Sequence, residues 1–249
     1  MVTSLVKHLK ETHESSKVDF RWRNLRNLVK KHIIGNNILD AGCGTGHLTL
    51  ELLQEGFTVT ATDYSQELVD FTRELLDQTD YCANVYQSDL RKAETLTEDN
   101  YDTIICLDVL EHIDDDMIAL RNLKSVLKPG GVLIISVPAL SWLYSYRDEE
   151  IGHYRRYNKH ELLKKLTDAG FEISTIRFWN LIGLLPYLIS EKLLKISIDK
   201  NVRNNNKSRS ARITNYLLNV WFEYFENNLS SPIGLSLIAV CIRPETQEQ

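Results

Sequence analysis

The sequence predicts an α/β fold, a largely parallel sheet with helices on both faces. From Asn37 onward, short apolar β-branched runs alternate with longer amphipathic stretches, as in strands joined by crossover helices. A glycine-rich run, Asp40-Ala41-Gly42-Cys43-Gly44-Thr45-Gly46, lies between the first of these strands and the first helix. Lys128-Pro129-Gly130-Gly131 then stops a later helix ahead of another strand, because proline cannot continue a helix and glycine accepts left-handed dihedrals at its C-terminal end.

The expected strands are Ile38–Ala41, Thr58–Thr62, Asn84–Gln87, Thr103–Leu107, Val132–Val137, Glu172–Arg177 and Leu235–Ile242. Between them the apolar spacing predicts helices at Leu48–Glu55, Gln66–Gln78, Asp116–Leu127 and Lys159–Ala169. Four stretches follow: a helical leader or lid over residues 1–35, an α/β core over 36–179, a helical insertion over 180–228, and the last strand with its tail over 229–249.

The chain has 249 residues, 43% hydrophobic and 25% charged, enough for one soluble globular domain with a sizeable core. A net charge of −5 gives it no electrostatic reason to seek nucleic acid. That charge is unevenly spread. Glu191–Arg212 carries +5, beside the uncharged run Phe178–Ser190, and the remainder carries −10. The run divided by Pro186 reads as an apolar lid over a substrate, with a dimer face or a peripheral membrane contact as alternatives. Cys43, Cys82, Cys106 and Cys241 show no metal-ligand spacing and read as core thiols of a reducing compartment. Met1–Lys10 has no apolar signal core, and no stretch approaches the roughly 20 apolar residues of a spanning helix. A cytoplasmic protein, monomer or homodimer, is expected.

Glycines at a strand's carboxyl end and a helix N-terminus let a ligand approach the backbone. His47 occupies the position where a dinucleotide fingerprint needs glycine or alanine, which weakens an NAD reading, and no Gly-Lys-Ser/Thr follows, so the P-loop reading fails.

Ile38–Gly46 (ILDAGCGTG) resembles the first motif of class I S-adenosylmethionine-dependent methyltransferases, which have a Rossmann-like, doubly wound, seven-stranded mixed sheet. The later landmarks come in that family's order: Asp63-Tyr64-Ser65, Ser88-Asp89-Leu90, Tyr101–His112 (YDTIICLDVLEH) and Leu127–Gly131 (LKPGG). The resemblance implies S-adenosylmethionine as cofactor. It places Asp40 at the cofactor's ammonium, Gly42, Cys43, Gly44 and Gly46 along it, Asp63 with Tyr64 at the ribose, and Ser88, Asp89 and Leu90 at the adenine. A carboxylate suits the ribose because it accepts two hydroxyls at once, although Asp63 also reads as a helix cap. Leu107, Asp108 and His112 complete the cofactor set at the exit of the fourth strand. The leader Asp19–Lys31 resembles a helix that closes over the cofactor. There Arg26, then Arg23, fits a contact with the cofactor's carboxylate, or else the helix is a solvated basic face.

Where base N-methyltransferases of this fold carry Asn/Asp-Pro-Pro-aromatic, this chain has Leu107–His112, similar to the small-molecule branch and its quinone-biosynthesis O-methyltransferases. Pro138–Tyr157 is similar to a bacterial branch with a His-x-Arg-Arg-Tyr segment, and supplies Trp142, Tyr146, His153, Arg155, Arg156 and Tyr157 as acceptor contacts. His153, with His112 as competitor, fits a general base. The same loop also reads as structural, its histidine and arginines locked by Asp148, Glu149 and Glu150. The expected activity is methyl transfer to an oxygen, hydroxyl or carboxylate, of a small and anionic or lipid-like acceptor, without a metal. An N-methyltransferase or a non-catalytic nucleotide-binding scaffold is the alternative.

Overall fold

A computed structural model describes residues 6, 9–10, 20–96, 100–189 and 216–245. Helix α1 (Phe20–Lys30) precedes β1 (Asn37–Ala41), α2 (His47–Gln54), β2 (Thr58–Asp63), α3 (Gln66–Asp77) and β3 (Asn84–Gln87). The chain continues through β4 (Tyr101–Leu107), α4 (Asp116–Val126), β5 (Leu127–Pro138), α5 (Tyr146–Glu150) and α6 (Lys159–Asp168). It ends with β6 (Glu172–Trp179), α7 (Leu184–Tyr187), a π-helical turn at Phe222–Glu226, and β7 (Ser236–Ile242).

The strands form one seven-stranded sheet in the order β3-β2-β1-β4-β5-β7-β6. β7 is antiparallel to both neighbours, and the pairings from β3 through β5 are parallel. Alternation along the central strands fills two cores. Leu39, Ile104, Leu133 and Ile135 face α4 and α6, where Leu120, Leu123, Leu162 and Leu166 cover them. Ile38, Ile105, Val132 and Ile134 face the opposite layer, where Leu25, Leu28 and Val29 of α1 join Leu52 of α2 and Val69 of α3. Burial on both sides explains why these strands read as continuous apolar runs.

Three differences from the sequence reading have local causes. Lys128–Gly131 belongs to β5: Leu127 pairs with Tyr101 across an irregularity, and Gly130, at φ +74, donates its N–H to the Arg243 carbonyl at 2.8 Å. Phe178 and Trp179, the start of the uncharged run, complete β6 opposite Leu237 and Ser236. Cys82 is exposed, unlike the buried Cys43, Cys106 and Cys241. The basic tract within residues 190–215 lies outside the described residues.

The strand order reverses between β1 and β4, so a crevice opens at their carboxyl ends, fed by the turns after β1, β2, β4 and β5. At Gly42 (φ +88) a Cβ would come within 2.3 Å of Val109 Cγ2, whereas at Gly44 (φ +58) it would meet nothing within 4 Å. Gly42→Ala is expected to lower unfolding free energy by about 2–3 kcal/mol, and Gly44→Ala by about 1 kcal/mol from left-handed strain alone. Urea unfolding of the two variants beside the parent checks the ranking.

Candidate active site

The glycine loop is shaped by backbone pairing. The Thr62 carbonyl accepts the N–H groups of Gly42 (2.7 Å) and Cys43 (2.8 Å), and the Cys43 carbonyl accepts that of Gly46 (3.0 Å). Asp63, at the carboxyl end of β2, accepts the Gly44 N–H on Oδ2 (3.0 Å) and the Ser65 N–H on Oδ1 (2.9 Å). The cap of α3 is Ser65, whose hydroxyl accepts from Leu68 N, so Asp63 is not the cap. Asp40 is buried beneath the loop and accepts the Thr49 hydroxyl at 2.6 Å. Burial pushes both carboxyls up to about 6. The Cys43 thiol is buried against Thr72 and raised in pKa by burial, which makes it unreactive filler.

Beyond β3, Ser88 is buried with its hydroxyl 2.9 Å from that of Thr95. The Asp89 carboxylate is taken by Arg91, Nε on Oδ1 and Nη2 on Oδ2, each at 2.9 Å, which holds it below the usual carboxylate range. Leu90 is buried, whereas Tyr64 is exposed beside Asp63. Past the partly buried Leu107, Asp108 adopts φ +54 and accepts the Ser136 hydroxyl on Oδ1 at 2.8 Å. Its Oδ2 faces Arg21 Nη2 at 3.4 Å.

The leader helix corrects the expectation for Arg26. That guanidinium is buried and lies 2.9 Å from Glu51 of α2, although its Nε–H direction misses the carboxylate. Arg21, five residues earlier, is the arginine that reaches the carboxyl edge of β4, and Arg23 is exposed.

The loop after β5 folds around Asp148, which the short α5 buries. Arg156 donates from Nε to both its oxygens (2.9 and 3.0 Å), His153 Nδ1 lies 2.9 Å from Oδ1, and the Ser145 N–H donates to Oδ2 at 2.9 Å. Burial raises the Asp148 pKa, but the bonds from His153 and Arg156 outweigh it and hold the carboxyl down at about 2. Arg156 also donates to the Tyr187 hydroxyl of α7 at 2.7 Å. A second node is Asp116, which accepts Tyr157 Oη (2.8 Å), Lys165 Nζ (2.8 Å) and Arg155 Nη1 (2.9 Å).

Three expected acceptor contacts are therefore reassigned. Tyr157 is fully buried, Arg156 is buried and spent on Asp148 and Tyr187, and Arg155 is engaged by Asp116 and the Asp114 carbonyl. They tie the loop to its surroundings through Asp148, as the structural alternative expected of Arg156, and through Asp116 and the Asp114 carbonyl, which it did not name. Trp142 and Tyr146 stay exposed at the rim.

Glu111 and His112 lie on the 3-10 turn Leu110–His112 after β4, and the Glu111 carbonyl accepts the Tyr154 N–H at 2.7 Å. His112 and His153 meet edge to face, ring centroids 4.7 Å apart. His112 Nδ1 lies 3.2 Å from the Gly152 carbonyl. Burial, then the neighbouring His153, lowers the His112 pKa to about 4, while burial and Asp108 push the Glu111 carboxyl well up. Glu111 was not picked out in the sequence; its only signal there was its place beside His112.

Residues 14–176 match the family described as methyltransferase domain. The chain belongs to it. As the sequence implied, it is a class I methyltransferase domain with the Rossmann-like mixed sheet. It is similar to ubiquinone biosynthesis O-methyltransferases of Rickettsia canadensis (29% identity; 56% of this chain, 64% of the relative) and Coxiella burnetii (36%; 41% and 43%). The matches thus span 43% to 64% of the length of those relatives. A solved S-adenosylmethionine-dependent methyltransferase from Mesorhizobium loti shares the fold at TM-score 0.60 and 16% identity, covering 90% of this chain and 98% of that one.

Two outcomes test the electrostatics of this methyltransferase domain. The folded chain holds the Asp40 proton up to about pH 6, whereas the unfolded chain releases it near pH 4. Stability present below about pH 4 is therefore lost as pH rises to about 6, by about 3 kcal/mol for this group. Asp40→Asn, neutral throughout, is expected to gain that amount relative to the parent between pH 4 and 7, read from urea midpoints. Asp148→Ala leaves Arg156 buried without its partner and is expected to cost about 3–5 kcal/mol in the same assay.

Proposed function

We propose that the protein transfers a methyl group from S-adenosylmethionine to an oxygen, hydroxyl or carboxylate, of a small acceptor. The observation that carries this reading is the loop geometry. Asp63 holds the Gly44 N–H, and the Cβ direction of Gly44 is open, a cradle that a side chain would fill and a ligand can use. When bound, the cofactor supplies an electrophilic methyl group on a sulfonium.

Asp63 accepts the ribose hydroxyls, the Ser88–Leu90 turn borders the adenine, and Asp40 offsets the ammonium through its charge. Their task is to fix the donor so that an acceptor oxygen lies about 3 Å from the methyl carbon with water excluded. The acceptor end is the His112–His153 edge, with Trp142 and Tyr146 at its rim. Transfer to oxygen is favoured over nitrogen by the names of the relatives. α7, the described start of the insertion over 180–228, touches the acceptor loop through Tyr187 and Arg156, which supports an acceptor lid there. Among the described residues no helix is long and apolar enough to cross a membrane. We place the reaction in the cytoplasm, on a small molecule and not on nucleic acid.

Calorimetric titration with S-adenosylhomocysteine is expected to show one site per chain, and absence of binding sinks the cofactor assignment. Asp63→Ala is expected to weaken that binding by about 1.5–3 kcal/mol, through loss of charge-assisted hydrogen bonds. Gly44→Ala is expected to bind poorly while remaining folded. Methylated product from a pool of phenolic and carboxylate acceptors, and none from an amine pool, checks the oxygen preference.

A further inference from the structure

A closed ring of hydrogen bonds links Asp148, Arg156, Tyr187 and Ser145. Arg156 Nε donates to both oxygens of Asp148, and its Nη2 donates to the Tyr187 hydroxyl at 2.7 Å. Ser145 Oγ donates to Asp148 Oδ2 at 3.2 Å, so in its contact with Tyr187 Oη, at 3.3 Å, the tyrosine is the donor. Asp148, Arg156 and Tyr187 are all buried. Three members of the ring belong to the loop after β5. The fourth, Tyr187, comes from α7 at the start of the insertion, 31 residues beyond Arg156.

His153 is attached to this ring. Its main chain is pinned separately, the N–H donating to the Asp148 carbonyl and the carbonyl accepting the Tyr144 hydroxyl, each at 2.7 Å. What remains to be set is the direction of the imidazole, and the contact of Nδ1 with Asp148 Oδ1, at 2.9 Å, sets it. An ionised carboxylate can only accept, so Nδ1 carries the hydrogen. In the neutral ring Nε2 then presents its lone pair on the side of Glu111 and His112.

The arginine makes that arrangement conditional. A guanidinium facing a carboxylate ordinarily gives it two parallel N–H groups. Here Nε alone is shared by both Asp148 oxygens, and Nη2 is diverted to Tyr187, which leaves Oδ1 with room for His153. Without the hydroxyl, Nη2 is a buried charged donor that has lost its acceptor. Turning onto Asp148 restores its bond and the usual fork, and displaces the contact between Oδ1 and His153.

We propose that Tyr187 is a positioning residue for His153: by holding one prong of Arg156 it leaves Asp148 free to orient the imidazole, so the histidine is aimed only while α7 is docked. α7 has 4 residues. Leu184 and, just past the helix, Leu188 pack partly buried on the core, whereas Leu185 is exposed. The seating of the insertion is thereby registered at the histidine edge. That His153 serves a methyl acceptor rests on the methyl-transfer reading; the link from Tyr187 to His153 does not.

The test is Tyr187→Phe in the full chain. It keeps the aromatic ring, whose centroid lies 4.9 Å from Arg156 Cζ, and removes only the hydroxyl. Proton NMR of the 15N-histidine-labelled parent, with His153 assigned from the signal missing in His153→Gln, is expected to show a downfield Nδ1–H in slow exchange with water. Tyr187→Phe is expected to speed that exchange about tenfold, the loss of one hydrogen bond's worth of protection. Absence of the slow Nδ1–H in the parent overturns the proposal, and so does an unchanged His153 signal in the folded variant. If Tyr187→Phe does not fold, Leu184→Ala, which loosens α7 on the core, is read in the same way. Leu185→Ser, on the exposed side of α7, is expected to leave the signal unchanged.

Turnover supplies a second readout, with the phenolic acceptor that gives product. Tyr187→Phe is expected to lower kcat about tenfold with the KM for S-adenosylmethionine unchanged, as for a misdirected acid–base group. A raised KM with kcat kept overturns the positioning role. S-adenosylhomocysteine is titrated into the same samples. Absence of its binding to the parent refutes the cofactor reading alone, because the NMR readout needs no ligand.

Discussion

Carboxyl groups crowded at one edge of a sheet constrain this molecule. Asp40, Asp63, Asp108, Glu111 and Asp148 all lie at or just past the carboxyl ends of β1, β2, β4 and β5, and Asp40, Glu111 and Asp148 are buried there, where a bare charge is costly. Each is met differently. Asp40 takes a hydroxyl, Asp63 takes backbone N–H groups, Asp108 takes Ser136 and Arg21, and Asp148 takes Arg156 and His153. Glu111 is the member whose second oxygen is left bare, and burial with Asp108 nearby pushes its carboxyl well up, toward the neutral form.

These solutions also order the site. Asp63 ties the glycine loop to β2, while Asp148 and Asp116 tie the long loop after β5 to α7 and α6. A loop at this edge would ordinarily be mobile. Here two buried carboxylates with multiple charge-assisted donors hold it, so His153 stands at a fixed place opposite His112. The half around the glycine loop is built from backbone and hydroxyl chemistry, the half around the loop after β5 from side-chain networks.

The strands and long helices were legible to within a few residues because apolar period and burial coincide. Ile38 with Leu39 and Ile104 with Ile105 point to opposite cores, and helix spacing follows one face. The short α5 was missed, since a helix of 5 residues carries too little period to register. Helical spacing favours Arg26, then Arg23, and does not bring out Arg21, because spacing alone cannot say which arginine meets Glu51 and which meets Asp108. Tyr157 and Arg156 looked like acceptor contacts because a cationic, aromatic loop reads the same whether its groups face a ligand or each other.

The sequence by itself determined the sheet and the glycine loop, because each depends on residues close in the chain and on backbone rules that any protein obeys. Only the tertiary structure decided which groups gather around the loop after β5. His112 and His153 are far apart in sequence, and their meeting with Glu111 depends on a loop whose course is set by burying Asp148 with Arg156. Pairings of that kind arise from which charges must be satisfied once the core has formed, and nothing in local spacing records them.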